Sequence, residues 1–182
     1  MIDAPGADAP HPVLLYVRIA LLKAGPQDLP ASRRLLPATV AAYVLMSLLL
    51  GSLLLDDVDN SLLLVLIDSA FTLTCYRLLL RAVGRPERFA QTAAALFGFQ
   101  AIASPILMSG LSLYRRYGES SPWQVPVTLL MLALAIWTIV VNVRIIRAAT
   151  EWTVSTCIGV VFALALLGQL LALLLQPGGF AT

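Results

Sequence analysis

The sequence predicts an all-α polytopic membrane protein, a bundle of five spanning helices preceded by a short interfacial helix. Apolar residues make up 59% of the 182 positions, whereas charged residues make up only 12%. Soluble domains typically carry about a quarter charged residues. The apolar residues fall in continuous runs, not in the alternating pattern of a membrane barrel, so strands are excluded as the main element.

The five predicted spans lie in one transmembrane domain, residues 37–176. Each is close to the ~20 residues that a helix needs to cross the hydrocarbon core. Short turns rich in charged residues, Gly or Pro separate them. The predicted bounds are about 37–55, 61–80, 89–111, 123–146 and 152–175. Residues 177–182 are predicted to form a short external tail.

Residues 1–36 are predicted to comprise a cytoplasmic tail, a short helix and a linker. The helix covers Val13–Ala24, about three turns, which is too short to span the membrane, and Gly25-Pro26 ends it. We expect this helix to lie at the membrane interface. The alternative is that it packs under the bundle.

The basic residues predict the orientation in a bacterial-type inner membrane. Lys and Arg concentrate in cytoplasmic loops. An N-terminus inside and a C-terminus outside leaves only Arg115 and Arg116 on the external side, together with the acidic turn at 56–60. The cytoplasmic side then holds Arg18, Lys23, Arg33, Arg34, Arg77, Arg81, Arg85, Arg88, Arg144 and Arg147.

Asp68 is the most informative polar residue within a predicted span. A carboxylate near the middle of a helix costs about 2.5–3.5 kcal/mol to insert. We therefore expect Asp68 to face the bundle interior, hydrogen-bonded or protonated. Depth along the helices makes Gln100, Ser104 and Gln169 candidate partners in an intramembrane polar network. Such a network either serves a proton, an ion or a polar substrate, or fixes helix register, and the second role is the commoner.

Four arginines lie near the ends of predicted spans on the cytoplasmic side. Snorkelling of the side chains to the inner headgroups accounts for them without a special function. They are also candidate contacts for anionic lipid. The four are Arg77, Arg81, Arg144 and Arg147.

Small residues one helical turn apart predict close packing of helices within the chain. The pairs are Ser47 with Gly51, Ala94 with Gly98, Gly159 with Ala163, and Gly168 with Ala172. Pro105 interrupts the third span. Because proline cannot donate to the carbonyl of Ala101, we expect a kink at this position.

The residues that enzymes need are scarce. The single histidine, His11, lies in the N-terminal tail, and no nucleophile elbow, phosphate-binding loop or dinucleotide fingerprint is present. We expect no catalytic residue, no cofactor site and no metal site, and we treat Cys75 and Cys157 as packing residues. The net charge of +2 is too small to indicate nucleic-acid binding.

The segment Ala24-Gly-Pro-Gln-Asp-Leu-Pro precedes the first of five closely spaced spans, with a short N-terminal part before it. This layout resembles bacterial members of the Yip1-domain group, and the segment is also similar to uncharacterised proteobacterial membrane proteins. The resemblance implies a role in membrane organisation, trafficking or scaffolding, without catalysis.

Two functions follow as hypotheses. The first is a non-enzymatic scaffold or accessory subunit that binds the lipid bilayer and other membrane proteins, or copies of itself. The alternative is a small proton- or cation-coupled transporter or channel that uses Asp68.

Overall fold

The computed structural model describes residues 12–30, 34–54, 61–118 and 122–175, and this part of the chain is helical without a strand. The all-α bundle predicted from the sequence is thereby confirmed. The predicted acidic turn and both terminal tails lie outside these ranges. The helices are α1 (Pro12–Ala20), α2 (Leu35–Leu54), α3 (Ser61–Ala82), α4 (Phe89–Tyr117), α5 (Gln124–Thr150) and α6 (Val154–Leu175).

Helices α2 to α6 are each long and apolar enough to cross a membrane, which confirms the five predicted spanning helices. Two of them continue well beyond their predicted ends: α4 continues to Tyr117 and α5 to Thr150. The predictions ended at Leu111 and Ile146, near the point where polar residues enter the sequence. Backbone hydrogen bonding need not stop where the hydrocarbon stops, so both helices extend beyond the apolar window.

Helix α4 lies at the centre of the bundle, in contact with α1, α2, α3 and α5. Half of its span is buried inside the protein, against 6% of the α6 span. Small residues make this possible, since Ala93, Ala94, Ala95 and Gly98 let neighbouring helices approach closely. Of the predicted small-residue pairs, Ala94 with Gly98 thus packs within the chain, whereas Gly159 has open space where a side chain would be.

The buried core is concentrated towards one end of the bundle. We call this the basic end; it contains the α3–α4 turn with Arg85 and the α5–α6 turn with Glu151. One cluster joins α1, α4 and α5 around Phe99. A second joins α3, α4, α5 and α6 around Tyr76 and Cys157, and both cysteines are free thiols.

Helix α1 packs against α4 and α5, and its place relative to the membrane interface stays a prediction. Its residues Leu15, Tyr16, Ile19 and Ala20 are buried in the cluster around Phe99. The opposite side of the helix stays exposed and is largely apolar. Its exposed side chains are Val13, Leu14 and Arg18, and Leu21, just after the helix, is exposed as well.

Three side chains of α4 and α5 bind backbone carbonyls in and after α1. The Trp137 indole N–H donates to the carbonyl of Ala20 at 2.9 Å. Arg144 donates to the carbonyl of Leu22, and Gln91 donates to that of Leu29 at 3.1 Å. The last carbonyls of a helix lack partners within the helix, and leaving them bare is costly where water is scarce. Trp137 therefore caps the last carbonyl of α1, and Arg144 and Gln91 hold the segment that follows the helix.

Pro105 lies within α4 without ending the helix. The proline has no N–H for the carbonyl of Ala101, and the Ser104 hydroxyl donates to that carbonyl at 3.1 Å. Serine side chains commonly satisfy carbonyls that proline frees within membranes. The helix thus retains a hydrogen bond at this position.

An ion-pair clamp joins the two turns of the basic end. The Glu151 carboxylate binds Arg85 at 2.6 Å through Oε2 and Arg88 at 2.9 Å through Oε1. Arg88 also donates to the carbonyls of Ala148 and Ala149 at the end of α5. Glu151 itself adopts a left-handed conformation, with φ of 60°, which ends α5 and starts the short turn to α6.

Gly98→Ala is expected to weaken the docking of α1. A Cβ at this position would overlap the buried ring of Tyr16, and overpacking of this kind costs about 1–3 kcal/mol. Unfolding in a denaturing detergent measures the loss. Gly159→Ala is the matched control, since its Cβ meets open space and alanine favours a helix by roughly 0.5–1 kcal/mol. Equal behaviour of the two variants would contradict the packing of Tyr16 on α4.

The clamp is expected to weaken in acid. The Arg85 hydrogen bond, helped by Arg88, lowers the pKa of Glu151 from 4.5 to about 2. A lowered carboxyl pKa gives stability that is complete above about pH 4.5 and is lost as the pH falls towards 2. Glu151→Gln should lower the melting temperature by about 1–3 °C at pH 7, because the pair is exposed, and the difference should shrink in acid.

Glu87→Gln is the control for this series, since Glu87 is an exposed carboxylate near Arg85 that makes no salt bridge in the described ranges. Its melting temperature should fall less than that of Glu151→Gln at pH 7, because Glu87 attracts Arg85 without forming a salt bridge. A Glu151→Gln deficit that is the same at pH 7 and at pH 3 would contradict the ion-pair explanation.

Candidate intramembrane polar site

A cavity of about 360 Å³ lies between α3 and α6, with α4 and α5 behind it. Asp68, Gln100 and Gln169, three of the four residues predicted to form a polar network, line this cavity together. We call it the α3–α6 groove. Because Gln169 and neighbouring residues of α6 are exposed, the groove opens at the surface of the bundle.

Asp68 accepts a hydrogen bond from the Tyr43 hydroxyl at 3.2 Å, through Oδ2. The Tyr43 ring in turn packs on Phe97, with ring centroids 5.4 Å apart. One side chain of α2 thus connects the carboxylate of α3 to the centre of α4. Asp68 is partly buried, as predicted, and it has a partner that orients it.

Three polar residues of α3 lie on one side of the groove. Asp68, Thr72 and Tyr76 are spaced four residues apart, so they share one face of the helix, and all three line the cavity. Asn142 lines it from α5, and its amide donates to the carbonyl of Thr138 at 2.9 Å. The groove thus presents one carboxylate, two hydroxyl groups and the three amides of Gln100, Asn142 and Gln169.

Gln100 contributes an acceptor that the protein leaves without a donor. Its Oε1 atom is buried and makes no hydrogen bond within the described part of the chain. A buried polar atom without a partner costs about 1–3 kcal/mol. An occupant of the groove that donates a hydrogen bond would remove this cost.

A second cavity, of about 260 Å³, adjoins the groove. The two share Asp68, Gly168 and Ala172 in their linings. The second cavity continues along α3 and α6 away from the basic end as far as Leu64 and Leu175, and its lining is mostly apolar. Asp68 therefore lies where a polar cavity and a largely apolar one meet.

Ser104, the fourth residue of the predicted network, is not among the residues that line the groove. Its hydroxyl is used on the carbonyl of Ala101, one turn back along its own helix. Sequence reasoning missed Tyr43, whose hydroxyl lies several ångströms from its own backbone. A prediction based on the depth of the backbone along the helix axis does not include the length of the tyrosine side chain.

The four arginines predicted as lipid contacts have different surroundings. Arg77, Arg81 and Arg147 have exposed side chains. Arg144 is exposed too, but it binds the carbonyl of Leu22 and lines a small cavity beside the segment that follows α1. Only Arg144 of the four is thus held by another segment of the described chain.

No group of three or more His, Cys, Asp or Glu side chains that could hold a metal occurs among the residues the structure describes. The comparisons with family models, with curated proteins and with solved structures find no match. The fold and the site therefore define the class: a multi-pass α-helical membrane protein with a polar groove between its third and sixth helices.

Tyr43→Phe is expected to destabilise the bundle by about 1–2 kcal/mol, since it removes the hydrogen bond to Asp68. Tyr16→Phe is the matched control. The Tyr16 hydroxyl is buried without a partner in the described ranges, so its removal should be neutral or stabilising. Unfolding in a denaturing detergent compares the two, and an equal loss in both would contradict the Tyr43–Asp68 contact.

Proposed function

We propose that the protein is a non-enzymatic subunit of a membrane assembly, and that the α3–α6 groove receives a transmembrane helix of another protein. The observation that carries this proposal is a polar lining beside an under-packed helix. Asp68 and Gln100 line the groove, while only 6% of the α6 span is buried. A helix that is exposed along most of its length is available to a neighbour.

Charge decides what kind of helix fits. The linings of the groove and of the adjoining cavity contain one carboxylate and no basic side chain. The Tyr43 hydroxyl is the one donor to Asp68 in the described part of the chain. A partner helix with a basic or hydrogen-bond-donating side chain would supply donors to both Asp68 and Gln100. Interhelical hydrogen bonds of this kind are worth about 0.6–2 kcal/mol each in membranes.

The shape of the groove supports a helix as the occupant. Its α6 wall is built partly from small residues, Ala165, Gly168 and Ala172, spaced three or four residues apart. Small residues on one face let a second helix approach the backbone closely, and this contact stabilises pairs where no hydrophobic force acts between helices.

A proton- or cation-coupled transporter is the second candidate. The meeting of the groove and the adjoining cavity at Asp68 favours it, because a carboxylate at such a junction is available to bind a cation from either one. This candidate predicts a proton flux in vesicles reconstituted with the wild-type protein, and its loss in Asp68→Asn.

We further propose that the protein lies in a bacterial-type inner membrane with its basic end in the cytoplasm. The ten basic residues on that side, against two on the other, support this orientation. Membership of the Yip1-domain group remains a proposal that rests on the arrangement of the spans.

Site-specific photo-crosslinking in native membranes tests the first candidate. A photoreactive residue in place of Ala165, within the groove, is expected to give one adduct, to a membrane protein whose transmembrane segment carries a basic or donor side chain. Adding Asp68→Leu should reduce that adduct several-fold. The control position is Leu132, which is exposed on α5 outside the groove lining and should give no such adduct.

The other outcomes exclude the first candidate. Adducts to lipid alone at both positions would show that lipid, and no protein helix, occupies the groove. An adduct of the protein to itself would assign the groove to self-association. A proton flux that depends on Asp68, without a protein adduct, would favour the transporter.

A further inference from the structure

A separate polar cavity lies at the basic end, between residues 22–28 and α5, with a volume of about 180 Å³. Two cationic side chains that are distant in the sequence, Lys23 and Arg144, line it together. The lining has one carboxylate, that of Asp28, whose Oδ2 accepts a hydrogen bond from the Gly25 N–H at 2.7 Å. The lining therefore carries a net positive charge.

The Arg144 guanidinium is held in place before any ligand arrives. One of its nitrogens donates to the carbonyl of Leu22. Leu22 adopts a left-handed backbone conformation, with φ of 62°, at the turn that follows α1. A guanidinium has five N–H donors, so most of them remain for another acceptor. Its planar fork matches the oxygens of a phosphate group.

Lys23 supplies a second, mobile cation. Its side chain is exposed and makes no hydrogen bond or ion pair in the part of the chain that the structure describes. A fixed guanidinium beside a flexible ammonium is a common arrangement for binding phosphate, since the first orients the oxygens and the second adds charge.

We propose that this cavity binds a phosphate group, carried by the headgroup of an anionic lipid or free in solution. The surroundings suit the lipid source. The exposed residues Val13 and Leu14 on α1, and Leu21 just after it, form a mainly apolar surface that also contains the exposed Arg18 and leads into the cavity. Acyl chains lying on that surface would bring a headgroup to Lys23 and Arg144. This site is independent of the α3–α6 groove and of its occupant.

Native mass spectrometry of the purified full chain tests the proposal with two lipids of identical acyl chains. Phosphatidylglycerol should be retained in preference to phosphatidylcholine, because the phosphate of phosphatidylcholine is neutralised by its own choline ammonium group. Lys23→Gln should lower phosphatidylglycerol binding about fivefold, the effect of one basic residue near an anionic headgroup. Arg144→Lys, which keeps the charge and loses the fork, should also lower it.

The control is the double variant Arg77→Gln with Arg81→Gln. These two exposed arginines lie on α3 and do not line the cavity, so the variant should lose less phosphatidylglycerol binding than Lys23→Gln, although it removes two charges. If this variant loses as much binding as Lys23→Gln, the attraction is a diffuse property of the basic end and the cavity is not the site. The Lys23 side chain is exposed, so its substitution leaves the fold intact. The Lys23→Gln result therefore tests the site even if Arg144→Lys disturbs the contact with Leu22.

Competition by inorganic phosphate separates the two sources. Displacement of phosphatidylglycerol at millimolar phosphate, sensitive to Lys23→Gln, would assign the cavity to free phosphate. Retention of the lipid under the same conditions would assign it to the headgroup. Equal retention of phosphatidylcholine and phosphatidylglycerol by the wild type would overturn the proposal.

Discussion

The close approach of helices to α4 is the constraint on which the rest of the structure depends. Lipid provides no hydrophobic force between helices, so the bundle is held by packing and hydrogen bonds. Alanines and Gly98 on α4 provide that packing, and the Tyr16 ring occupies the space where a side chain at position 98 would be. The Tyr43 ring packs on Phe97 of the same helix, so α1 and α2 both depend on this stretch of α4.

The uneven distribution of packing places the site. Near the basic end, α3 and α6 meet α4 and α5 around Tyr76 and Cys157, and the Glu151 clamp ties the two turns together. Further along, α6 keeps few neighbours and leaves the groove beside Asp68 open. The bundle is thus well packed at the basic end and open along one side, and the packed end holds α3 and α6 in place on either side of the groove. The proposed partner helix would lie along this open side, beside Asp68.

The sequence predicts the helices well because their signal is local. A mostly apolar stretch of about twenty residues has one stable arrangement in lipid, the helix, and each of α2 to α6 contains such a stretch. It predicts Asp68, Gln100 and Gln169 as a group because helix depth follows from residue number. It does not predict how α1 packs on the bundle. The side chains that donate hydrogen bonds to the carbonyls at and after its end, Trp137 and Arg144, belong to α5, which is distant in the sequence. Ser104 bonds to a carbonyl of its own helix, as Ser69, Thr92 and Thr138 do, and depth along the helix does not reveal this local bond.

Labelling of the wild-type protein in vesicles by a lipid-soluble carbene reagent tests the central position of α4 most directly, since the reagent marks residues that face acyl chains. The account predicts dense labelling around most of α6, including Phe162, Leu166 and Leu174, and almost none on any side of α4 from Thr92 to Phe99. Labelling of one face of α4 as heavy as that of α6 would contradict it.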